Sequence, residues 1–187
     1  MNFKFSAISH NGSIGYISYQ QNFVNKIGSY NLTGANISLI GTFNNSGKTI
    51  NPTKLCVTDQ YLISYSSSYM TVDYFNLSSL SWAGRFNLTE YPNSMTFLSS
   101  KKLVISTSTS GNIKSFTSNL SSIMTFITIS TGLLNPVYVE ASPLENYISV
   151  GDNSNKLRIY SLATNTLLFM TSNSSGGSCQ SMAWNKD

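Results

Sequence analysis

Charge is scarce in this chain: only 10% of its 187 residues are Asp, Glu, Lys or Arg. Histidine occurs once, at His10, and cysteine twice, at Cys56 and Cys179. One histidine and two separated cysteines supply no metal-ligand set of the usual spacing, and two cysteines do not staple a disulfide scaffold. Both cysteines fall in apolar, strand-like runs and read as small core hydrophobes. The seven carboxylates are Asp59, Asp73, Glu90, Glu140, Glu145, Asp152 and Asp187. They read mostly as turn residues, and no two have the spacing of an acid/base pair. The residues therefore name no catalytic group, no metal ligand and no cofactor.

Long hydrophobic runs are also missing. No stretch approaches the roughly 18 apolar residues of a membrane span, and residues 1–10 lack the apolar core of a signal peptide. These absences favour a cytoplasmic protein, or an extracellular one if a leader lies upstream. The net charge of +4 comes from 11 basic and 7 acidic residues. The basic ones are scattered, with a single adjacent pair at Lys101-Lys102, so the gathered basic face of a nucleic-acid binder is not expected.

What the chain has instead is Ser, Thr and Asn, at 34, 17 and 21 residues, beside 41% hydrophobic content. The hydrophobic residues recur in regular runs, which argues against disorder. Eight Asn-X-Ser/Thr sequons occur, at Asn11, Asn31, Asn36, Asn44, Asn76, Asn87, Asn119 and Asn173. Roughly six would arise by chance from this composition, and a sequon is usable only on the secretory route.

The most informative pattern is a repeat. An aromatic residue late in a β-like run is followed two positions later by leucine at Tyr30-Asn31-Leu32, Phe75-Asn76-Leu77 and Tyr160-Ser161-Leu162, and more loosely at Phe116 with Leu120. The aromatics lie 45, 41 and 44 residues apart. A period in this range marks stacked supersecondary units, most often propeller blades. Short β-branched and aromatic runs broken by Gly, Asn, Ser or Pro place four strands in each unit. They are Phe3–Ser9, Ser13–Tyr19, Lys26–Leu32 and Asn36–Phe43; Lys54–Thr58, Tyr61–Ser66, Met70–Leu77 and Leu80–Asn87; Ser94–Leu98, Lys102–Ser106, Asn112–Thr117 and Ile123–Ile129; and Val137–Ala141, Tyr147–Gly151, Lys156–Leu162 and Thr166–Thr171. The short links predict antiparallel meanders, and no stretch carries a 3.6-residue helical period. Leu55, Ile63, Val104, Ile105, Phe126, Val139, Ile148 and Leu168 are the expected core.

Three local motifs read as turns or packing. Gly47-Lys48-Thr49 ends as a phosphate loop does, but position 42 is Thr where the first glycine belongs and no helix follows. Asp152-Asn153-Ser154-Asn155 lacks the downstream Glu of a calcium loop and suits a tight turn. Tyr61, Tyr65, Tyr69 and Tyr74 form the densest aromatic group; they read as packing residues, with exposed members available as binding anchors. A His10–Ser–Asp triad carries no weight where serine is this abundant.

The segment from Tyr147 to Leu162 resembles the end of a WD40 repeat, with Asp152 at the turn acid and Tyr160-Ser161 in the Trp-Asp places. Ser181-Met182-Ala183-Trp184 resembles the first strand of a following repeat. The resemblance implies an all-β fold of β-propeller blades, each of four antiparallel strands. About four blades are present, at 3–43, 54–87, 94–129 and 137–171, with the start of a fifth at 179–187, so that 1–187 forms one partial propeller of a larger ring of about seven blades. The free edge of that fifth unit would carry Met182 and Trp184. The implied function is a non-enzymatic protein-interaction scaffold within a multiprotein assembly, its partners being other proteins or the rest of its own longer chain. The alternative is a secreted or cell-surface adhesion module, glycosylated or glycan-binding. The residues do not locate a binding surface.

Overall fold

The computed structural model describes residues 2–9, 11–58, 60–88, 92–98, 102–107, 112–117, 126–130, 136–153, 156–172 and 184. Among them there is no helix, and sixteen strands follow one another along the chain. These are β1 (Asn2–Ile8), β2 (Ile14–Gln21), β3 (Val24–Asn31), β4 (Ser38–Thr42), β5 (Lys54–Val57), β6 (Tyr61–Ser66), β7 (Thr71–Asn76), β8 (Ser81–Asn87), β9 (Pro92–Leu98), β10 (Lys102–Thr107), β11 (Asn112–Thr117), β12 (Phe126–Ser130), β13 (Pro136–Ala141), β14 (Tyr147–Asp152), β15 (Lys156–Ser161) and β16 (Leu167–Ser172). They form four antiparallel sheets, each a meander of four sequential strands. The chain is thus all-β and built of propeller-type blades. It divides into two compact units, Met1–Thr89 with the first two blades and Glu90–Asp187 with the last two.

The repeat marker has a hydrogen-bonding reason. In the first, second and fourth blades the amide of the leucine after the aromatic closes the blade by donating to the carbonyl just before the second strand, while Leu120 lies outside the described residues. Leu32 donates to Ser13, Leu77 to Gln60 and Leu162 to Asn146, at 2.8, 3.0 and 2.9 Å. The aromatic itself pairs across the sheet with the second strand: Tyr30 with Gly15, Phe75 with Leu62, Tyr160 with Ile148. Because strand side chains alternate between faces, these pairs fix which residues share a face.

Within the first unit, Tyr16 and Ile27 of the first blade pack against Leu55, Leu62 and Phe75 of the second, with Phe43 and Ile50 of the connector. Phe43 joins the rings, 6.0 Å from Tyr16 and 5.6 Å from Phe75. Within the second unit, Leu98 and Ile113 of the third blade pack against Val139, Ile148, Val150 and Tyr160 of the fourth. Burying each such side chain contributes roughly 1.5–3 kcal/mol. In both units the first strands of the two blades are neighbours, β1 with β5 and β9 with β13. The second contact is polar: Asn93 Nδ2 donates to the Pro136 carbonyl at 2.9 Å and the Ala141 amide donates to Thr96 Oγ1 at 3.4 Å. First strands lying side by side are how blades meet at the axis of a propeller.

Of the expected core, Leu55, Ile63, Val139 and Ile148 are buried; the side chains of Val104, Ile105 and Phe126 lie outside the described residues. Leu168 is a correction, since its side chain is 56% exposed. The whole outer strand is open, since Leu167, Phe169 and Met170 are 46%, 51% and 54% exposed as well, and Leu168 also sits in a β-bulge. In β16 the register shifts between the Ile159 and Tyr160 pairs, which leaves Leu168 without an opposing residue. The same shift falls at Ile40 in β4 and Ala83 in β8, and both are exposed. A bulge adds one unpaired residue to the outer strand, and here it recurs at the same place in three blades.

Candidate interaction surface

The expectation that carboxylates sit in turns fails at Asp73, which lies in the middle of β7 and is 1% exposed. Directly opposite, on β8, is Arg85. Arg85 Nε donates to Asp73 Oδ1 at 2.8 Å and Nη2 donates to Oδ2 at 3.0 Å. Trp82 Nε1 also donates to Oδ1, at 3.0 Å. Arg85 Nη2 reaches on to the Thr49 carbonyl at 2.7 Å, and Lys48 Nζ stands 5.5 Å from the centre of the Trp82 ring. Three donors converge on this buried carboxylate, two on Oδ1 and one on Oδ2, which makes it a structural group. The arrangement pins the 43–53 connector to the second blade. Lys48 is thereby placed on an indole in the connector between blades, and the residues after it continue into β5 rather than a helix.

Asp152 is likewise a structural acid. Its Oδ1 accepts from the Lys156 amide at 2.8 Å and it is fully buried, so it shapes the turn between β14 and β15. Among the described residues, no group of three His, Cys, Asp or Glu is gathered as a metal ion would require.

Four of the sequons have a turn chemistry of their own. The side-chain oxygens of Asn11, Asn31, Asn44 and Asn76 accept from the amide of the residue two positions on: Ser13 at 3.1 Å, Thr33 at 2.8 Å, Ser46 at 2.8 Å and Ser78 at 2.9 Å. At Asn11, Asn31 and Asn76 the hydroxyl of that Ser or Thr donates to the same oxygen. Asn-X-Ser/Thr is here the spelling of an Asx turn with a hydroxyl lock.

The tyrosine group divides. Tyr65 is buried, Tyr61 and Tyr74 are half-buried, and their rings meet edge to face at 5.8 Å. Tyr74 also lies over Gly84, its partner across β7 and β8, and 6.0 Å from Phe86. Only Tyr69, at the β6–β7 turn, is well exposed among the four. Burial pushes the phenols of Tyr16, Tyr30 and Tyr160 above their ordinary range; at Tyr30 the neighbouring Tyr19 adds to the rise, and at Tyr160 Arg158 partly opposes it.

The surface feature that sequence reasoning missed is Phe23. It occupies the two-residue turn between β2 and β3 with Asn22, at φ of 50° for Asn22 and 62° for Phe23. Positive φ at both positions is the type I′ pattern, where Asn-Gly is preferred because glycine carries no Cβ penalty. Phe at the glycine place is 97% exposed, beside Val24 at 51%. The signal available in the sequence was Gln21-Asn22-Phe23 between two alternating runs. Further exposed apolar residues are Ile37 just before the first blade's outer strand, Leu39 and Ile40 along it, and Leu167, Phe169 and Met170 along the fourth's.

Trp184 is a second correction. Its indole is not on a bare edge but half-buried, stacked on Tyr147 at 6.4 Å, with Nε1 donating to the Glu140 carbonyl at 3.3 Å. The rest of 179–187, Met182 included, lies outside the described residues, as does Cys179.

No family model matches the chain, and no curated protein matches it. Among solved structures it is similar to "Kuenenia stuttgartiensis Hydrazine Synthase", with a TM-score of 0.68 at 14% identity. The match covers 89% of this chain and 47% of that one, so the chain spans about half the length of its structural neighbour. At this identity the likeness concerns the fold of the backbone.

Proposed function

We propose that the chain is a WD40-like propeller scaffold that binds other proteins, or further blades of its own polypeptide, and catalyses no reaction. The observation that carries this reading is Phe23. A phenylalanine held at positive φ costs roughly 1 kcal/mol against glycine, and the ring, 97% exposed, gains no burial in return. A rigid hairpin presenting one aromatic ring is the form of an interface anchor. The structural hydrogen bonds held by buried Asp73 and Asp152 support the non-catalytic half of the reading.

Placing a photoreactive phenylalanine analogue at position 23 tests it in cells that express the chain. Discrete protein adducts at that position are expected. Adducts confined to glycans would favour the adhesion reading, and a position 23 that crosslinks nothing beyond a surface control contradicts the scaffold.

A further inference from the structure

Phe23 does not stand alone. Its turn joins the second and third strands of the first blade, and the equivalent turn of the second blade, between β6 and β7, carries Tyr69. Tyr69 is 49% exposed. Both turns are fixed by their backbone. Asn22 and Phe23 are held at positive φ, and so is Met70, at 50°. The Met70 amide donates to the Ser67 carbonyl at 3.4 Å, and the Met70 carbonyl accepts from the Leu88 amide at 2.6 Å. A chain of side-chain hydrogen bonds braces one turn against the other. Asn25, two residues after Phe23, donates through Nδ2 to the Ile50 carbonyl at 2.9 Å and to Asn51 Oδ1 at 3.4 Å. Asn51 Nδ2 donates in turn to Ser68 Oγ at 2.8 Å, and Ser68 directly precedes Tyr69. Two exposed aromatic rings therefore stand on one rim of the first unit and span its two blades, with Val24 51% exposed beside the first ring.

The charge along this rim has one sign. Lys26 follows Asn25 on β3, is half-buried, and donates through Nζ to the Gln21 side-chain oxygen at 3.0 Å. Lys48 is exposed in the connector that carries Asn51, and Lys54 opens β5 three residues after Asn51. Residues 1–89 contain two carboxylates. Asp73 is 1% exposed and paired with Arg85. Asp59 lies outside the described residues, in the link between β5 and β6; a meander places that link and the β6–β7 turn at opposite ends of a sheet. Five basic residues (Lys4, Lys26, Lys48, Lys54 and Arg85) against these two acids give the first unit +3 of the chain's +4.

We propose that this rim is the docking site of an acidic peptide segment with apolar anchors. Phe23, Val24 and Tyr69 take the apolar side chains, and Lys26 and Lys48 attract the carboxylates. The rings supply contact area on a braced support, which is the form of an interface anchor. The lysines decide the chemistry of the partner. Covering the rim strips water from Lys26, which is costly unless the partner brings an opposite charge, and no carboxylate of the described rim residues supplies one. Charge of one sign on the rim also speeds the approach of a partner of the other sign. The proposal rests on the reading of Phe23 as an anchor and names the partner's chemistry.

Selection of a random peptide display library on the 187-residue chain, followed by fluorescence polarisation of the enriched peptides, tests it. The enriched sequences are expected to carry an excess of Asp and Glu around Phe, Leu, Ile or Trp, and to bind more weakly as salt rises. Phe23→Ala and Tyr69→Ala are each expected to weaken that binding about tenfold. Lys26→Glu is expected to weaken it about tenfold as well and to flatten the salt dependence. Leu144→Ala, at a position 81% exposed in the second unit, is expected to leave it unchanged. The substituted side chains lie at the surface or half-buried, so unchanged circular dichroism is expected throughout. Enriched peptides without an acidic excess overturn the proposal. So does binding indifferent to Tyr69→Ala or to Lys26→Glu, or a library that yields no enriched peptide. The reading of Phe23 fails separately: protein adducts at position 23 whose contacting segments are neutral or basic would keep that reading and overturn this one.

Discussion

Asp73 and Arg85 face each other across β7 and β8 and are joined by two hydrogen bonds, at 2.8 and 3.0 Å, with the carboxylate 1% exposed. The pair also receives the Trp82 indole and reaches the connector through Thr49. Asp73→Ala removes the acceptor of three donors and leaves a partly buried cation. Breaking a buried pair costs about 3–5 kcal/mol, and the partial exposure of Arg85 lowers the expectation to about 2–3 kcal/mol. Urea denaturation measures it; a loss under about 0.5 kcal/mol would show the pair to be a surface contact.

The close approach of Tyr74 to Gly84 gives a second test. A Cβ at position 84 would collide with the phenol ring, so Gly84→Ala is expected to cost about 1–3 kcal/mol by overpacking. In Tyr74→Ala the ring is gone and the second substitution should cost little. The double-mutant cycle should therefore show a coupling above about 1 kcal/mol. Additive losses would contradict the packing of that face.

Much of the fold was legible from the chain, and the reason is local. The strand break ending at Asn146, the aromatic marker and the short hairpin links are all set by neighbours in sequence. The bulge at Leu168 was not legible. An apolar residue centred in an apolar run reads as core, and only the pairing of Ile159 with Phe169 and Tyr160 with Leu167 reveals the extra residue. Asp73 was missed for a similar reason: its partner Arg85 is twelve positions away and becomes adjacent only through the β7–β8 register. Phe23 fell in the link between the expected strands Ser13–Tyr19 and Lys26–Leu32 and drew no attention, because a turn's positive φ is read from Asn-Gly and here the glycine is absent.

Ile148 and Leu168 form a matched contrast. Ile148 is fully buried between the last two blades, so Ile148→Ala is expected to cost about 2–4 kcal/mol. Leu168 sits in the bulge, and Leu168→Ala should cost less than about 0.5 kcal/mol. Equal losses at the two positions would return Leu168 to the core.

Alkaline stability follows from the buried phenols. The raised pKa of Tyr16 and Tyr160 means that the folded chain holds these protons more tightly than the unfolded one. Their contribution is fully present below the ordinary tyrosine range near 10 and is lost as pH rises through the folded values. Tyr160→Phe should flatten the decline in stability above about pH 10 relative to wild type. Thermal midpoints across the alkaline range measure it. An identical decline in Tyr160→Phe and wild type would contradict the burial of Tyr160.

The most direct test of the blade architecture is amide hydrogen exchange resolved by residue. The second and third strands of a four-stranded meander are hydrogen-bonded on both sides, and the fourth is an edge. Slow exchange is therefore predicted for Leu62, Val72, Ile148 and Ile159, and at Ile17 and Ile27. Fast exchange is predicted at the bulge residues Ile40, Ala83 and Leu168. Protection that follows this inner-to-outer gradient in every blade, with the three bulges in the same place, supports the repeat. Protection concentrated in β4 and β16, or spread without regard to strand order, would contradict it.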